Sequence, residues 1–192
     1  MEFDEKLNRI QSVIKQDSFM KNTGLGNDIG FYIFDYDPKY ELNVRGHIKF
    51  LKEKFNNSDL VSFKIVEFDL YDIIVEILNE KGYLEKIFNL EEEYGKDHVQ
   101  KNINRLLKIS NNDSLIIKHI MDNISKDSIV FITGVGKSYP IIRSHEILNN
   151  LHDKIDDIPI VLFFPGKYSG NELELFSTIK DNNYYRAFPL IE

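Results

Sequence analysis

Two uninterrupted apolar runs, Ile129-Val130-Phe131-Ile132 and Ile158 to Phe164, constrain this chain more than any other feature. A strand with one face in water alternates apolar and polar residues. A run without a polar position belongs to a strand covered on both faces, as in a parallel sheet held between helical layers. The segment between the runs, Pro140 to Leu151, fits the crossover helix of a right-handed strand-helix-strand unit, with Pro140 at the first helical position. In open sheets of this kind ligands bind beyond the carboxyl ends of the strands. The loops Thr133 to Ser138 and Pro165 to Tyr168 lie there.

The rest of the chain supplies partners for this unit. Phe3, Leu7, Ile10 and Ile14 recur at helical spacing, and a glycine-rich loop, Asn22 to Gly30, follows. Within that loop Gly24-Leu25-Gly26-Asn27 is too short for a dinucleotide fingerprint. Phe31 to Phe34 reads as a strand ended by a turn at Asp35-Tyr36-Asp37-Pro38, and Asn43 as the cap of a helix bearing Val44, Ile48, Leu51 and Phe55. A strand within Leu60 to Phe68 leads into Asp69, the cap of a helix that carries Leu70, Ile73, Ile74, Ile77 and Leu78 and stops at Gly82. Tyr83 to Lys126 is helical in three segments, the second capped by Asp97 and the third by Asn112 or Asp113. Gly170 to Asp181 reads as a helix through Leu173, Phe176 and Ile179, and Tyr184 to Leu190 as a last strand.

These elements predict one α/β domain over residues 1–192. It is a three-layer sandwich with a mostly parallel five-stranded sheet, P-loop or Rossmann-like, and a helical insertion at about 83–126. The insertion is either a variable, partner-binding region or structural cover for the sheet.

Charge and composition narrow the function classes. Lys and Arg total 24 against 31 Asp and Glu, a net charge of −7 that repels a polyanion on average, and no basic run offsets it. Tight nucleic-acid binding is therefore not expected. There is no cysteine, no apolar run near the ~18 residues of a membrane span, and the charged start Met1 to Lys6 is unlike a signal peptide. A cytoplasmic protein without a membrane contact is expected.

Gly134-Val135-Gly136-Lys137-Ser138 ends like a phosphate-binding loop and follows a strand. The full motif requires glycine where Phe131 stands, inside that strand. Tyr139, preceding a proline, is biased away from helical torsions, which would leave Lys137 and Ser138 outside the helix they begin in a working loop. The loop reads as a tight turn in which Gly134 and Gly136 supply left-handed torsions, with nucleotide binding as the alternative. Asp35 and Asp69 stand where a metal-binding acid would, yet turn and cap roles explain both. His47, His98, His119, His145 and His152 form no ligand motif, so no metal, cofactor or catalytic residue is expected. Arg143, Lys167 and Arg186 are candidates to meet an anion or acidic partner near the strand ends, or else form separate salt bridges. Tyr184 and Tyr185, beside Arg186, are candidate interface anchors.

Several segments together carry a resemblance: Gly24 to Asn27, Tyr32 to Pro38, Ile132 to His145, Leu148 to Leu151, Phe163 to Tyr168 and Asp181 to Phe188. They resemble the BrxB family, a small component of BREX bacteriophage-resistance systems. The resemblance spans nearly the whole chain except Tyr83 to Lys126. It implies membership in a multi-protein cytoplasmic defence apparatus in which the methyltransferase, the large ATPase and the PglZ-type phosphatase-like protein are separate chains. It supplies no catalytic residues. What it implies is a non-enzymatic assembly or adaptor subunit with other BREX proteins as partners, the PglZ-type component foremost; a nucleotide-binding switch at 134–138 is the competing reading.

Overall fold

The computed structural model describes residues 2–21, 30–109, 113–155, 157–181 and 187–191. Both apolar runs are strands, β3 (Ser128–Thr133) and β4 (Ile160–Tyr168), and every residue of β3 is buried. They pair in parallel, Val130 with Ile160 and Ile132 with Leu162. β2 (Lys64–Asp69) flanks β3, and β1 (Phe31–Tyr36) flanks β4, with Phe31 beside Ile160 and Phe34 beside Phe163. The two-residue β7 (Phe188–Pro189) adds to the outer side of β1, so five parallel strands run in the order β2-β3-β4-β1-β7.

The uninterrupted apolarity follows from this placement. Phe131 and Phe163 face a layer made by α1 (Phe3–Val13), the short α2 (Asp17–Met20) and α3 (Glu41–Asn56), joined by Leu190 and Ile191. Val130, Ile132, Leu162 and Phe164 face the opposite layer. It is built from α4 (Leu70–Glu80), α5 (Leu84–Tyr94), α6 (Lys96–Leu107), α7 (Leu115–Asp122) and α9 (Ser144–His152). Burying each such large side chain stabilises the fold by about 1.5 to 3 kcal/mol, so these strands define the molecule's interior. The structure is the expected three-layer α/β sandwich. α5 to α7 lie between β2 and β3, and their buried stripes (Ile87, Ile103, Leu107 and Ile116 among them) join the sheet core, which makes them cover for that face. Phe88 and Tyr94 remain exposed on their outer side.

Several boundaries differ from expectation, each for a local reason. Residues 173–181 are not a helix: β5 (Leu173–Leu175) and β6 (Ile179–Asp181) form a hairpin antiparallel to the end of β4, which extends the sheet to seven strands. Leu173 and Leu175 bury with period two, whereas Phe176 and Ile179 lie exposed. Asn43 does not cap α3. The Asp37 carboxylate accepts from the Lys39 N–H at 3.1 Å and starts a 3-10 turn (Pro38–Tyr40) that continues into the helix. α6 starts after Gly95, with Asp97 inside its first turn, and α7 starts after Ser114, with Asp113 paired to Lys108. Asn112, the loop 22–29 and residues 182–186 lie outside the described residues.

The crossover is also divided. A four-residue helix, α8 (Val135–Ser138), comes directly after β3; a cis Tyr139-Pro140 bond follows, and α9 begins only at Ser144. Pro140 is therefore not a helix start. The Arg143 N–H donates to the Glu146 carboxylate at 3.1 Å, which fixes the start of α9.

Candidate functional site

The turn after β3 is built on one glycine. Gly134 has φ +74°, and a Cβ there would collide with the Asp69 carboxylate. Gly136 sits within α8 without a positive φ, contrary to expectation; its constraint is steric, since a Cβ would approach the Phe176 ring at 3.0 Å and Pro165 at 3.3 Å. Asp69 caps α4 as expected, accepting from the Tyr71 and Asp72 N–H groups at 3.1 and 3.3 Å.

Asp69 does more than cap. Its other carboxylate oxygen lies 2.6 Å from Lys137 Nζ, which also reaches Asp72 at 3.3 Å and stands 5.6 Å from the Tyr71 ring. Burial lowers the Lys137 pKa, but the hydrogen bonds and charges of Asp69 and then Asp72 outweigh it, and the net shift is upward. The Ser138 hydroxyl is fully buried and donates to the Val135 carbonyl within its own short helix. Lys137 and Ser138 thus do lie in a helical turn directly after the strand. Tyr139 before Pro140 therefore does not keep them out of a helix, contrary to expectation; the lysine is instead engaged by two carboxylates, and the serine is sealed inside.

Openings among the described residues lie at the strand ends, one of them beside this turn. One is a cavity of about 110 Å³ between α8, the start of α9 and the β5–β6 hairpin. Val135, Ile142, Phe164, Leu173 and Leu175 line it, together with Tyr139, Ile179, Arg143, Ser144 and Lys180. The second is a crevice at the carboxyl ends of β1 and β4, the end of such sheets at which ligands commonly lie. Asp35, Lys167, Ser169, Glu172, Glu174 and Lys180 line this crevice. Asp35 is part of β1, not of the turn expected there: its carboxylate pairs with Lys6 of α1 and accepts from the Tyr168 N–H at 3.1 Å, stitching the crevice shut at its base. Nearby, the Tyr36 hydroxyl donates to Glu41, and burial, followed by that carboxylate, pushes its pKa upward.

Among the sequence-derived candidates, Gly134, Gly136, Lys137 and Ser138 form one turn, as their adjacency requires. Arg143 and Lys167 line separate openings that share Leu173 and Lys180. Tyr184, Tyr185 and Arg186 fall outside the described residues. Lys180 and Ser144 were not singled out by sequence. The alternation Leu173-Glu174-Leu175 and Ile179-Lys180-Asp181 is the signal that locates Lys180 on a hairpin.

Comparison with known proteins identifies the lineage of this site. The family model described as BREX protein BrxB matches residues 66–190, which include β3, α8, α9, β4 and the hairpin. The chain belongs to the BrxB family. It is 52% identical to the BREX protein BrxB of Bacillus cereus (strain H3081.97) over 189 residues, covering 98% of this chain and 97% of that one. It is 35% identical to the BREX protein BrxB of Escherichia coli O9:H4 (strain HS) over 186 residues, covering 97% and 90%. These BrxB relatives span α1 to α3 as well, so the likeness extends beyond the matched family region. No solved structure gives a significant match. Among the described residues, no helix is long and apolar enough to cross a membrane.

Proposed function

We propose that this chain is a non-enzymatic assembly or adaptor subunit of a cytoplasmic BREX anti-phage defence complex, acting by binding other BREX proteins and the PglZ-type component above all. The observation that carries the reading is the engagement of Lys137 by Asp69 and Asp72, which leaves the phosphate-loop-like turn at 134–138 without a lysine to offer a ligand. The net charge of −7 supports action through protein surfaces over direct binding of DNA. The test is affinity purification of the tagged chain from cells carrying the whole operon. Co-elution of the PglZ-type protein in a stable ratio is expected; elution of the chain alone overturns the proposal.

One observation favours a second reading, a nucleotide-responsive switch: α8 places Lys137 and Ser138 in a helical turn directly after β3. Such a switch would have to break the Lys137 ion pairs and expose Ser138, and tight nucleotide binding by the isolated chain would decide for it.

A further inference from the structure

The cavity beside α8 combines three features that the folded chain leaves unused. Its floor is apolar, formed by Val135, Ile142, Phe164, Leu173 and Leu175, all buried. The charged residues that line it, Arg143 and Lys180, are both cationic, although acids outnumber bases by 31 to 24 in the chain; neither has a carboxylate partner among the described residues. The third feature is Ser144, which lines the cavity in the first turn of the nine-residue α9. It is only 9% exposed. Two cations beside a helix start favour a negatively charged ligand over a neutral or positive one.

Size and charge select the occupant. At about 110 Å³ the space is well below the ~300 to 1,000 Å³ of sites that enclose a cofactor-sized molecule, and it suits a single side chain. We propose that this cavity is a docking site for an acidic-apolar segment of a partner protein, an aliphatic or aromatic side chain entering the floor while an adjacent carboxylate meets Arg143, Lys180 and the Ser144 hydroxyl. The hairpin contributes the exposed Ile179, and beyond it Phe176, as the apolar margin on one side. This inference rests on the adaptor reading and specifies where and by what chemistry the adaptor binds.

The test introduces the photo-crosslinker p-benzoylphenylalanine at Ile179 in the full-length chain, in cells carrying the whole operon, and identifies the crosslinked peptide by mass spectrometry. The expected product is a segment in which an apolar residue neighbours Asp or Glu. A synthetic peptide of that segment should then bind the purified chain, and Arg143→Glu combined with Lys180→Glu should weaken it by about tenfold or more. Both positions are exposed, so an unchanged melting temperature should accompany the loss. Crosslinking to a basic segment or to nucleic acid, or equal binding by wild type and the double variant, overturns the proposal. So does saturable binding of inorganic phosphate or AMP that Arg143→Glu abolishes, because that marks a small-molecule site. If wild type captures BREX proteins yet gives no crosslink at this position, the docking site is wrong and the adaptor reading stands. If wild type captures none, the adaptor reading fails and this inference with it.

Discussion

The Lys137 ammonium lies 2.6 Å from the Asp69 carboxylate, so the turn after β3 is tied to the residue that both ends β2 and caps α4. The same carboxylate abuts Gly134 and excludes any side chain there. One acid therefore determines the helix start, the glycine and the direction of the lysine.

Removing either partner should destabilise the fold, and the two losses should not add. Asp69→Ala is expected to cost more than Lys137→Met, because it also removes a helix cap worth about 1 kcal/mol. A double-mutant cycle by urea denaturation should give a coupling of about 0.5 to 3 kcal/mol. A coupling indistinguishable from zero would mean that the ion pair contributes nothing.

The isolated chain should not bind Mg-ATP appreciably. Calorimetric titration is the measurement, and micromolar binding abolished by Lys137→Ala would show that the lysine is released to a phosphate.

Gly134 and Gly136 should respond differently to alanine. Gly134→Ala forces a left-handed torsion and a clash with Asp69, and should lower stability by about 1 kcal/mol or more. Gly136→Ala meets a partly exposed ring that is able to shift, and gains helix propensity, so its effect should be smaller. Thermal unfolding of the two variants compares them directly; equal losses would contradict the assignment.

At the tip of the hairpin, Phe176 and Ser177 have φ of +54° and +55°, a conformation that disfavours residues with a Cβ. Ser177→Gly should therefore raise stability by about 0.5 to 1 kcal/mol after the entropy of the unfolded chain is counted. A lowered melting temperature would mean that the serine makes an unrecognised contribution.

Acidification should weaken the fold through His47. Burial, and then the charge of Lys54, holds its imidazole below the ordinary pKa of 6.5, and Nε2 is buried without a hydrogen-bond partner among the described residues. The unfolded chain takes up this proton more readily, so the contribution is full above pH 6.5 and declines as pH falls from there toward the folded value. Between about pH 7.5 and 5.5 the wild-type melting temperature should fall by more than that of His47→Gln. Parallel curves for the two proteins would exclude His47 as the source.

Legibility in the sequence followed the range of the forces involved. β3 and β4 were readable because burial on both faces writes itself as continuous apolarity, and the Asp69 cap because its partners are two and three residues away. The hairpin was not, since Leu173, Phe176 and Ile179 fall at helical spacing while the turn between the strands rests on two positive torsions that neither Phe nor Ser advertises. The pairing of Lys137 with Asp69 joins neighbouring strands across a three-helix insertion, and no local pattern reports such a contact. The same holds for the cavity: Arg143 and Lys180 come to line one space only after the hairpin has formed.

The strand order carries a consequence for synthesis. β1 is made first, yet its neighbours in the sheet, β4 and β7, are the last parallel strands to leave the ribosome; Phe31 waits for Ile160. Through most of translation β1 has two unsatisfied edges; Phe34 and Tyr36 have α1 and α3 to pack on, while Phe31 and Ile33 belong to a core completed only with α9 and β4. The nascent chain is thus most exposed to misassociation before its C-terminal third emerges, and the native sheet closes around its oldest strand at the end.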